Sequence, residues 1–312
     1  MTTASNPEPP AGRAVTRRLL FLYNPHSREG ASAAEHAIAR LREGGLDIRQ
    51  ERCTSPAGTL AIIARDAALV DGIVLCGGDG TLSAAAPGVI ASGLPMGIIP
   101  GGTANDLART LDIPGNPERA ADIILDGQRR QIDVGEVNGR IFFNVASIGI
   151  SADLARGLDP GLKRRWGRLG YALAALKVLS RARPFRATIA TEGASVQVTT
   201  YQIAVGNGRY YGAGMTVASS AAIDDGRLDL YSLEFASVWR MALMLPAFRK
   251  GSHGARNEVR TASAARFEVV TGTPKSVNAD GELVTTTPAR FIVRPRAISV
   301  FAPHQSKPAG SG

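Results

Sequence analysis

The amino-acid sequence predicts an α/β protein in which an open parallel sheet is followed by a second, mostly antiparallel β-rich domain. At 312 residues the chain exceeds the usual size of one domain, so two domains are expected. Up to about residue 132, short apolar strands alternate with Ala-rich helical segments, which is the rhythm of a parallel sheet with crossover helices. Beyond that point, strand-like segments with alternating polarity dominate, as in an antiparallel sheet.

The two domains are predicted at residues 17–135 and 136–303. Residues 1–16 are polar and Pro-rich, and residues 304–312 are rich in Pro, Gly and Ser, so neither end can bury apolar surface. We therefore expect both ends to be flexible tails.

Apolar runs bounded by turn residues predict the strands, and Ala-rich stretches predict the helices. In the first domain the predicted strands are 19–23, 48–53, 73–76 and 96–100, and the predicted helices are 31–43 and 58–68. In the second domain the predicted strands are 141–146, 186–191, 196–205, 228–233, 267–270 and 290–293, with helical insertions at 162–179 and 238–248. A last strand at 297–301 fits either domain, because spacing alone does not assign it.

The composition is that of an ordinary globular protein, with 44% hydrophobic and 20% charged residues. A formal net charge of +9 favours nucleotides, nucleic acid or an anionic membrane as partners. No nucleic-acid-binding module accompanies the charge, so no nucleic acid partner is expected. The chain has neither a long apolar run nor a signal-like start, and its two cysteines are too few for a disulfide framework. These features predict a cytoplasmic protein in which Cys53 and Cys76 are buried free thiols.

The strongest local signal is the Gly-rich segment Gly77-Gly78-Asp79-Gly80-Thr81, which follows a predicted strand and precedes an Ala-rich helix. Consecutive glycines let backbone amides approach phosphate oxygens, and the helix N-terminus adds partial positive charge. The carboxylate of Asp79 would repel phosphate unless it holds a cation, a ribose or a water. The segment therefore favours phosphoryl transfer over a plain Gly-rich turn.

Two further turns follow predicted strands of the same sheet. One is Pro100–Arg109, which contains two glycines, and the other is Asn24-Pro25-His26-Ser27. Because parallel strands end at one edge of a sheet, we expect all three turns to share that edge and to form a nucleotide site. Neither a Walker loop nor a dinucleotide-binding fingerprint is present, which disfavours those two classes.

Together these segments resemble the catalytic domain of the diacylglycerol kinase family, which includes sphingosine kinases and bacterial soluble lipid kinases. The resemblance spans about residues 17–303 and is carried by motifs at Asn24-Pro25-x-Ser27, Gly77–Thr81, Pro100–Arg109, Asp133-x-Gly135 and Asp280-Gly281-Glu282. NAD kinases share the Gly-Gly-Asp-Gly-Thr turn, so a kinase for a soluble metabolite such as NAD is an alternative. A non-catalytic nucleotide or lipid sensor is another.

The resemblance implies that ATP binds between a Rossmann-like first domain and the β-rich second domain. A lipid hydroxyl, with diacylglycerol as the leading choice, would accept the phosphate. The nucleotide-contacting positions would be Asn24, Pro25, His26, Ser27, Arg28, Thr54, Gly77, Gly78, Asp79, Gly80, Thr81, Leu82, Ser83, Thr103 and Asn105.

The same resemblance implies two groups of catalytic and metal-binding residues. Asp280 and Glu282 would be the catalytic carboxylates, either of which could accept the proton of the lipid hydroxyl. Asp133 would be linked to them through metal or water. A Mg²⁺ ion would be held by the Asp225 side chain and by the backbone carbonyls of Ala222 and Arg227.

A basic cluster with aromatic residues at 162–171 predicts a face that contacts an anionic membrane, so transient membrane association is expected. The sequence does not determine the oligomeric state, and a homodimer stays open. The chain departs from the family pattern where Arg28 follows Ser27, where Leu82-Ser83-Ala84 replaces a segment that commonly ends in Asn-Glu, and where the helix-breaking Pro87 follows.

Overall fold

A computed structural model describes residues 17–25, 28–157, 180–208, 210–211, 215–216, 222–237 and 258–303. The predicted helical insertions at 162–179 and 238–248, the proposed membrane face at 162–171 and both predicted tails lie outside these residues. None of the helices in the described ranges is both long and apolar enough to cross a membrane.

The first half of the chain forms a parallel sheet with helical crossovers. Its strands lie in the order β2-β1-β3-β4, and each neighbouring pair is parallel. The elements are β1 (Arg18–Tyr23), α1 (Arg28–Glu43), β2 (Asp47–Arg52), α2 (Pro56–Asp66), a short 3-10 helix (Ala67–Leu69), β3 (Gly72–Gly77), α3 (Asp79–Ser92), β4 (Met96–Pro100), α4 (Asp106–Thr110) and α5 (Pro117–Asp126). All strands and helices predicted for the first domain are confirmed.

Local sequence signals explain where several helices begin. The Ser55 side chain accepts the Gly58 amide at the start of α2, and Asn116 accepts the Arg119 amide at the start of α5. Proline occupies an early position of each helix, where its missing N–H costs nothing. The expectation that Pro87 breaks a helix is wrong, because α3 continues through this residue to Ser92.

The second half of the chain adds an antiparallel sheet and extends the first one. The six-stranded second sheet has the order β14-β13-β10-β7-β16-β17, and the first sheet continues from β4 through β18-β15-β8-β9. The elements are β5 (Arg129–Val137), β6 (Arg140–Phe142), β7 (Val145–Gly149), α6 (Ile150–Gly157), β8 (Phe185–Thr191), β9 (Ala194–Thr200), β10 (Gln202–Gly206), β11 (Tyr210–Tyr211), β12 (Met215–Thr216), β13 (Leu228–Leu233), β14 (Val259–Ala264), β15 (Arg266–Thr271), β16 (Ser276–Ala279), β17 (Glu282–Thr286) and β18 (Ala289–Phe301).

Two predicted strands of the second half are each divided into two strands in the structure. The predicted strand 141–146 is interrupted at Phe143 and Asn144, whose amides bond to a side chain instead of a neighbouring strand. The predicted strand 196–205 is broken at Tyr201, so that its two parts enter different sheets. Hydrophobic alternation cannot reveal such breaks, because it continues across them.

The predicted strands 290–293 and 297–301 are parts of one long strand, β18. A register shift between Arg294 and Ile298 interrupts its pairing with β5. Beyond this shift, Val300 pairs in parallel with Met96 of β4, so the end of the chain returns to the first sheet. The strand thereby joins the two halves of the molecule.

Two large cores correspond to this arrangement. The first contains the parallel strands and their helices, including the fully buried β3 and both cysteines, which are free thiols as predicted. The second draws residues from strands of both sheets, among them Phe267, Phe291 and Val205.

Candidate active site

The two glycine turns at the ends of β3 and β4 are in direct contact. The Gly101 amide donates to the Gly77 carbonyl at 3.0 Å. A Cβ atom placed on Gly102 would lie 2.5 Å from the Gly78 Cα, so the backbones approach more closely than a side chain permits. The structure thus brings the two turns together at one sheet edge, and α3 begins there with its N-terminal amides.

The Asp79 carboxylate is directed toward the next helix. It accepts the amides of Asp106 and Leu107, each at 3.1 Å, and so caps the start of α4. One of its oxygens also accepts the side-chain amide of Asn144 at 3.3 Å. Asp79 therefore connects the first glycine turn with the second turn and with the second half of the chain.

Asn105 shapes the second glycine turn from within. Its φ of 50° lies in the left-handed region, which asparagine tolerates better than most residues. Its side chain accepts the Gly102 amide at 3.0 Å and donates to the Gly102 carbonyl at 2.8 Å. Asn105 and Thr103 thus belong to the turn that touches Gly78. The Asn105 side chain is occupied by the Gly102 backbone within this turn.

The remaining predicted nucleotide positions fall into three groups. Asn24, Pro25 and Thr54 follow the carboxyl ends of β1 and β2, at the same sheet edge as the glycine turns. Arg28 is the first residue of α1, while His26 and Ser27 lie outside the described residues. Leu82 is 1% exposed and packs in the first core, so its side chain does not reach the edge. Thr81 and Gly80 occupy the first turn of α3.

Asp280 lies in the turn between β16 and β17 and reaches across to the first half of the chain. Its carboxylate accepts the backbone amides of Phe143 at 2.7 Å, Asn144 at 3.0 Å and Val145 at 3.1 Å. It also accepts the hydroxyl of Ser83 in α3 at 2.9 Å. Burial raises the pKa of Asp280, and these four hydrogen bonds oppose that rise because they stabilise the ionised form.

Glu282, the other predicted catalytic carboxylate, is exposed at the start of β17. Its Oε1 would lie 3.5 Å from a Cβ atom placed on Gly80. The side chain therefore lies beside the first glycine turn. The structure thus brings both acidic residues of the Asp-Gly-Glu motif to the start of α3, Asp280 at Ser83 and Glu282 at Gly80.

Asn144 is a site residue that the sequence analysis missed. Its backbone amide bonds to Asp280 and its side chain bonds to Asp79, so a single residue joins the two acidic groups. It is 3% exposed, and its side-chain oxygen has no hydrogen-bond partner among the described residues. Because asparagine is a poor strand former, its place inside the predicted strand 141–146 was a signal that could have singled it out.

Asp133, the third predicted catalytic carboxylate, is buried in β5. It is 1% exposed, and its two oxygens accept the amides of Gly226 at 2.6 Å and Arg296 at 2.7 Å. Arg296 lies at the register shift of β18, where strand pairing fails. These contacts join Asp133 to the 222–227 loop and to β18, whereas no hydrogen bond of the described residues joins it to Asp280.

The predicted Mg²⁺ residues share the loop before β13. The Asp225 Oδ1 accepts the Arg227 amide at 2.9 Å, and Asp224 forms an ion pair with Arg130 at 2.8 Å. Burial raises the pKa of the neighbouring Asp229, and the negative charge of Asp225 raises it further. The ligand types predicted here, a carboxylate oxygen and backbone carbonyl oxygens, are those that suit Mg²⁺. No group of three metal-ligating side chains occurs in the described part of the chain.

Comparisons with known proteins agree with this architecture. The family model of the diacylglycerol kinase catalytic domain matches residues 18–137, and that of the YegS C-terminal NAD kinase beta sandwich-like domain matches residues 144–302. A crystal structure of a diacylglycerol kinase from Bacillus anthracis str. Sterne superposes with a TM-score of 0.78 at 24% identity, over 93% of this chain and 99% of that one, which supports the fold.

Similarity to curated relatives identifies the family of this chain. The diacylglycerol kinase of Mycobacterium tuberculosis (strain ATCC 25618 / H37Rv) is 34% identical over 92% of this chain and 95% of its own length. The probable lipid kinase YegS-like of Pseudomonas aeruginosa (strain UCBPP-PA14) is 32% identical over 91% of this chain and 94% of its own. The chain therefore belongs to the diacylglycerol kinase and YegS-like lipid kinase family, whose members are phosphotransferases.

Proposed function

We propose that this protein transfers the γ-phosphate of ATP to the hydroxyl of a membrane lipid, with diacylglycerol as the acceptor. The observation that carries the proposal is the 2.9 Å bond between Ser83 in the glycine-turn helix and Asp280 in the second half of the chain. This bond places an acidic group beside the segment best suited to hold phosphate. The names of the curated relatives support diacylglycerol as the first acceptor to test.

The nucleotide would lie along the edge formed by the two glycine turns. There the amides of Gly78 and Gly80 and the N-terminus of α3 offer hydrogen-bond donors to phosphate oxygens. Asn24 and Thr54, at the ends of neighbouring strands, would contact the rest of the nucleotide. Backbone donors suit this task because they need no ordering when the ligand arrives.

The acceptor hydroxyl would lie beside the Asp-Gly-Glu motif. A lipid alcohol is a poor nucleophile, and a carboxylate that accepts its proton during transfer lowers the barrier. Glu282 is exposed and lies next to Gly80, while Asp280 is held by four donors and orients the surrounding backbone. Mg²⁺ at the loop of Ala222, Asp225 and Arg227 would supply positive charge that stabilises this part of the protein.

We also propose peripheral contact with anionic membranes, which the net charge of +9 supports.

The test is a transfer assay with radiolabelled ATP and Mg²⁺. The purified full-length protein is incubated with mixed micelles that contain diacylglycerol or a sphingoid base, and separately with NAD⁺ without lipid. We expect labelled phosphatidic acid as the main product. Labelled product from NAD⁺ and from no lipid would overturn the proposal in favour of a soluble-metabolite kinase. Nucleotide binding without transfer to any acceptor would indicate a sensor.

A further inference from the structure

Ser83 makes a contact that a nucleotide-binding residue would not be expected to make. It lies in the second turn of α3, and its Oγ donates to the Asp280 Oδ2 at 2.9 Å. The two residues are 197 positions apart in the chain. The Ser83 hydroxyl therefore bonds to an acidic residue of the second half of the chain, in the part of the site proposed to hold the lipid hydroxyl.

The hydrogen bonds of Asp280 give this contact a particular importance. An ionised carboxylate has about four acceptor positions, and Asp280 receives four donors. Three of these donors are backbone amides, of Phe143, Asn144 and Val145, which no substitution except one to proline removes. In the described part of the chain, Ser83 provides the one side-chain donor to Asp280.

The surroundings of Asp280 increase the need for this donor. The acidic groups nearest along its contacts are Asp79, on the other side of Asn144, and Glu282, two residues further along the hairpin. Within the described ranges, no Arg or Lys side chain forms an ion pair with Asp280. Burial raises the pKa of Asp280, and the hydrogen bond from Ser83 is one of four that oppose this rise because they stabilise the ionised form.

We propose that Ser83 is a positioning residue for phosphate transfer, which fixes the Asp280 carboxylate against the glycine-turn helix by donating a hydrogen bond to it. This inference rests on the proposed function and deepens it, since it moves Ser83 from the nucleotide to the acceptor side of the site. It also gives a role to a residue at which the chain departs from the family pattern. Ser83 acts through Asp280 and does not exchange protons with the substrate.

The experiment compares Ser83→Ala, Ser83→Thr and the matched control Ser92→Ala. Ser92 lies at the other end of α3, where its hydroxyl donates to the Val89 carbonyl at 2.9 Å. Alanine favours helix, so Ser83→Ala should fold, and thermal unfolding checks this. Losing a donor to the ionised form raises the pKa of Asp280, so the acidic limb of the kcat/KM profile for the lipid should move to higher pH. We expect kcat/KM to fall about tenfold at about pH 6 and less at about pH 8.

Three further readings decide the outcome. In Ser83→Ala the KM for ATP should stay within about twofold of the wild-type value, because a change in the pKa of Asp280 does not alter the residues that bind the nucleotide. Ser83→Thr keeps the hydroxyl and should restore the pH profile, and Ser92→Ala should behave like the wild type. If Ser83→Ala leaves the pH profile of kcat/KM for the lipid unchanged, the inference is overturned. If the KM for ATP also rises, Ser83 contacts the nucleotide instead.

A measurement that needs no turnover separates this inference from the proposed function. Carbon-13 NMR of carboxyl groups follows the titration of Asp280, whose signal is assigned by its loss in Asp280→Asn. The titration should move to higher pH in Ser83→Ala and return in Ser83→Thr. If the wild type transfers no phosphate but the titration moves as expected, the proposed function fails and the contact between Ser83 and Asp280 stands. An unmoved titration in an active enzyme refutes the inference alone.

Discussion

The glycine turns of the first sheet and the Asp280 hairpin of the second are built from contacts of very different range. The second glycine turn is closed by bonds between residues three positions apart, and it touches the first across neighbouring parallel strands. The donors to Asp280 come from residues 135 to 197 positions away. The phosphate-holding part is formed by contacts between neighbouring turns, whereas the acidic part forms only when segments far apart in the sequence have packed together, and only its Ser83 contact joins the two halves. Substitutions in the first region should therefore weaken nucleotide binding, and those in the second should weaken transfer.

The largest effect is expected from Asp280→Asn. The NH₂ group of an asparagine would face the N–H and O–H donors that now bond to the carboxylate, which would disturb the 143–145 backbone. The substitution would also remove the acidic group. The rate of labelled phosphate transfer should fall about a thousandfold, with nucleotide binding changed much less. The matched control is Asp126→Asn, at the exposed end of α5, which should keep the wild-type rate. A large loss of ATP affinity in Asp280→Asn would break the comparison.

The next effect concerns the residue that joins the two regions. Asn144→Asp would bring a third carboxylate into contact with Asp79 and Asp280, and the repulsion should displace both. We expect kcat to fall about a hundredfold, measured at saturating ATP. Asn116→Asp is the control, because aspartate caps the start of α5 as well as asparagine does. Wild-type kcat in Asn144→Asp would show that the bridge between the regions carries no function.

A smaller effect, on binding alone, should follow a change in the glycine turns. In Gly102→Ala the new Cβ would lie 2.5 Å from the Gly78 Cα, which forces the turns apart. The KM for ATP should rise about tenfold while kcat stays within about threefold. Gly115→Ala serves as the control, since no atom lies within 4 Å of its Cβ position. A selective loss of kcat would contradict the assignment of this edge to the nucleotide.

The smallest effect is expected on stability. Asp133→Ala would leave the amides of Gly226 and Arg296 without their acceptor in a buried place. The free energy of unfolding, measured with urea, should fall by about 2 to 4 kcal/mol. In the control, Asp71→Ala, an exposed carboxylate that accepts the Arg18 amide is lost, and the change should stay below about 1 kcal/mol. Unchanged stability together with lost transfer would favour the catalytic role that the sequence analysis implied for Asp133.

Most elements of the first half could be predicted from the sequence, because a parallel sheet has continuous apolar strands such as 73–76 and capped Ala-rich helices between them. The second half was harder to predict. The breaks at 143–144 and at Tyr201 occur inside alternating segments, and only contacts with distant residues stop the strands there. The role of Asn144 was missed for a related reason: its low strand propensity marks it as unusual in the sequence, but its position between two acids exists only in the folded chain.

The sequence by itself determined the α/β class, the two glycine turns, the buried thiols and the acidic motifs, because each follows from composition or from residues close along the chain. The tertiary structure decided which acid touches which turn. It placed Asp280 at Ser83, Glu282 at Gly80 and Asp133 at the register shift of β18. The physical reason is that a buried carboxylate is stabilised by hydrogen-bond donors. Which donors lie within about 3 Å depends on packing between distant segments, which local sequence patterns do not encode.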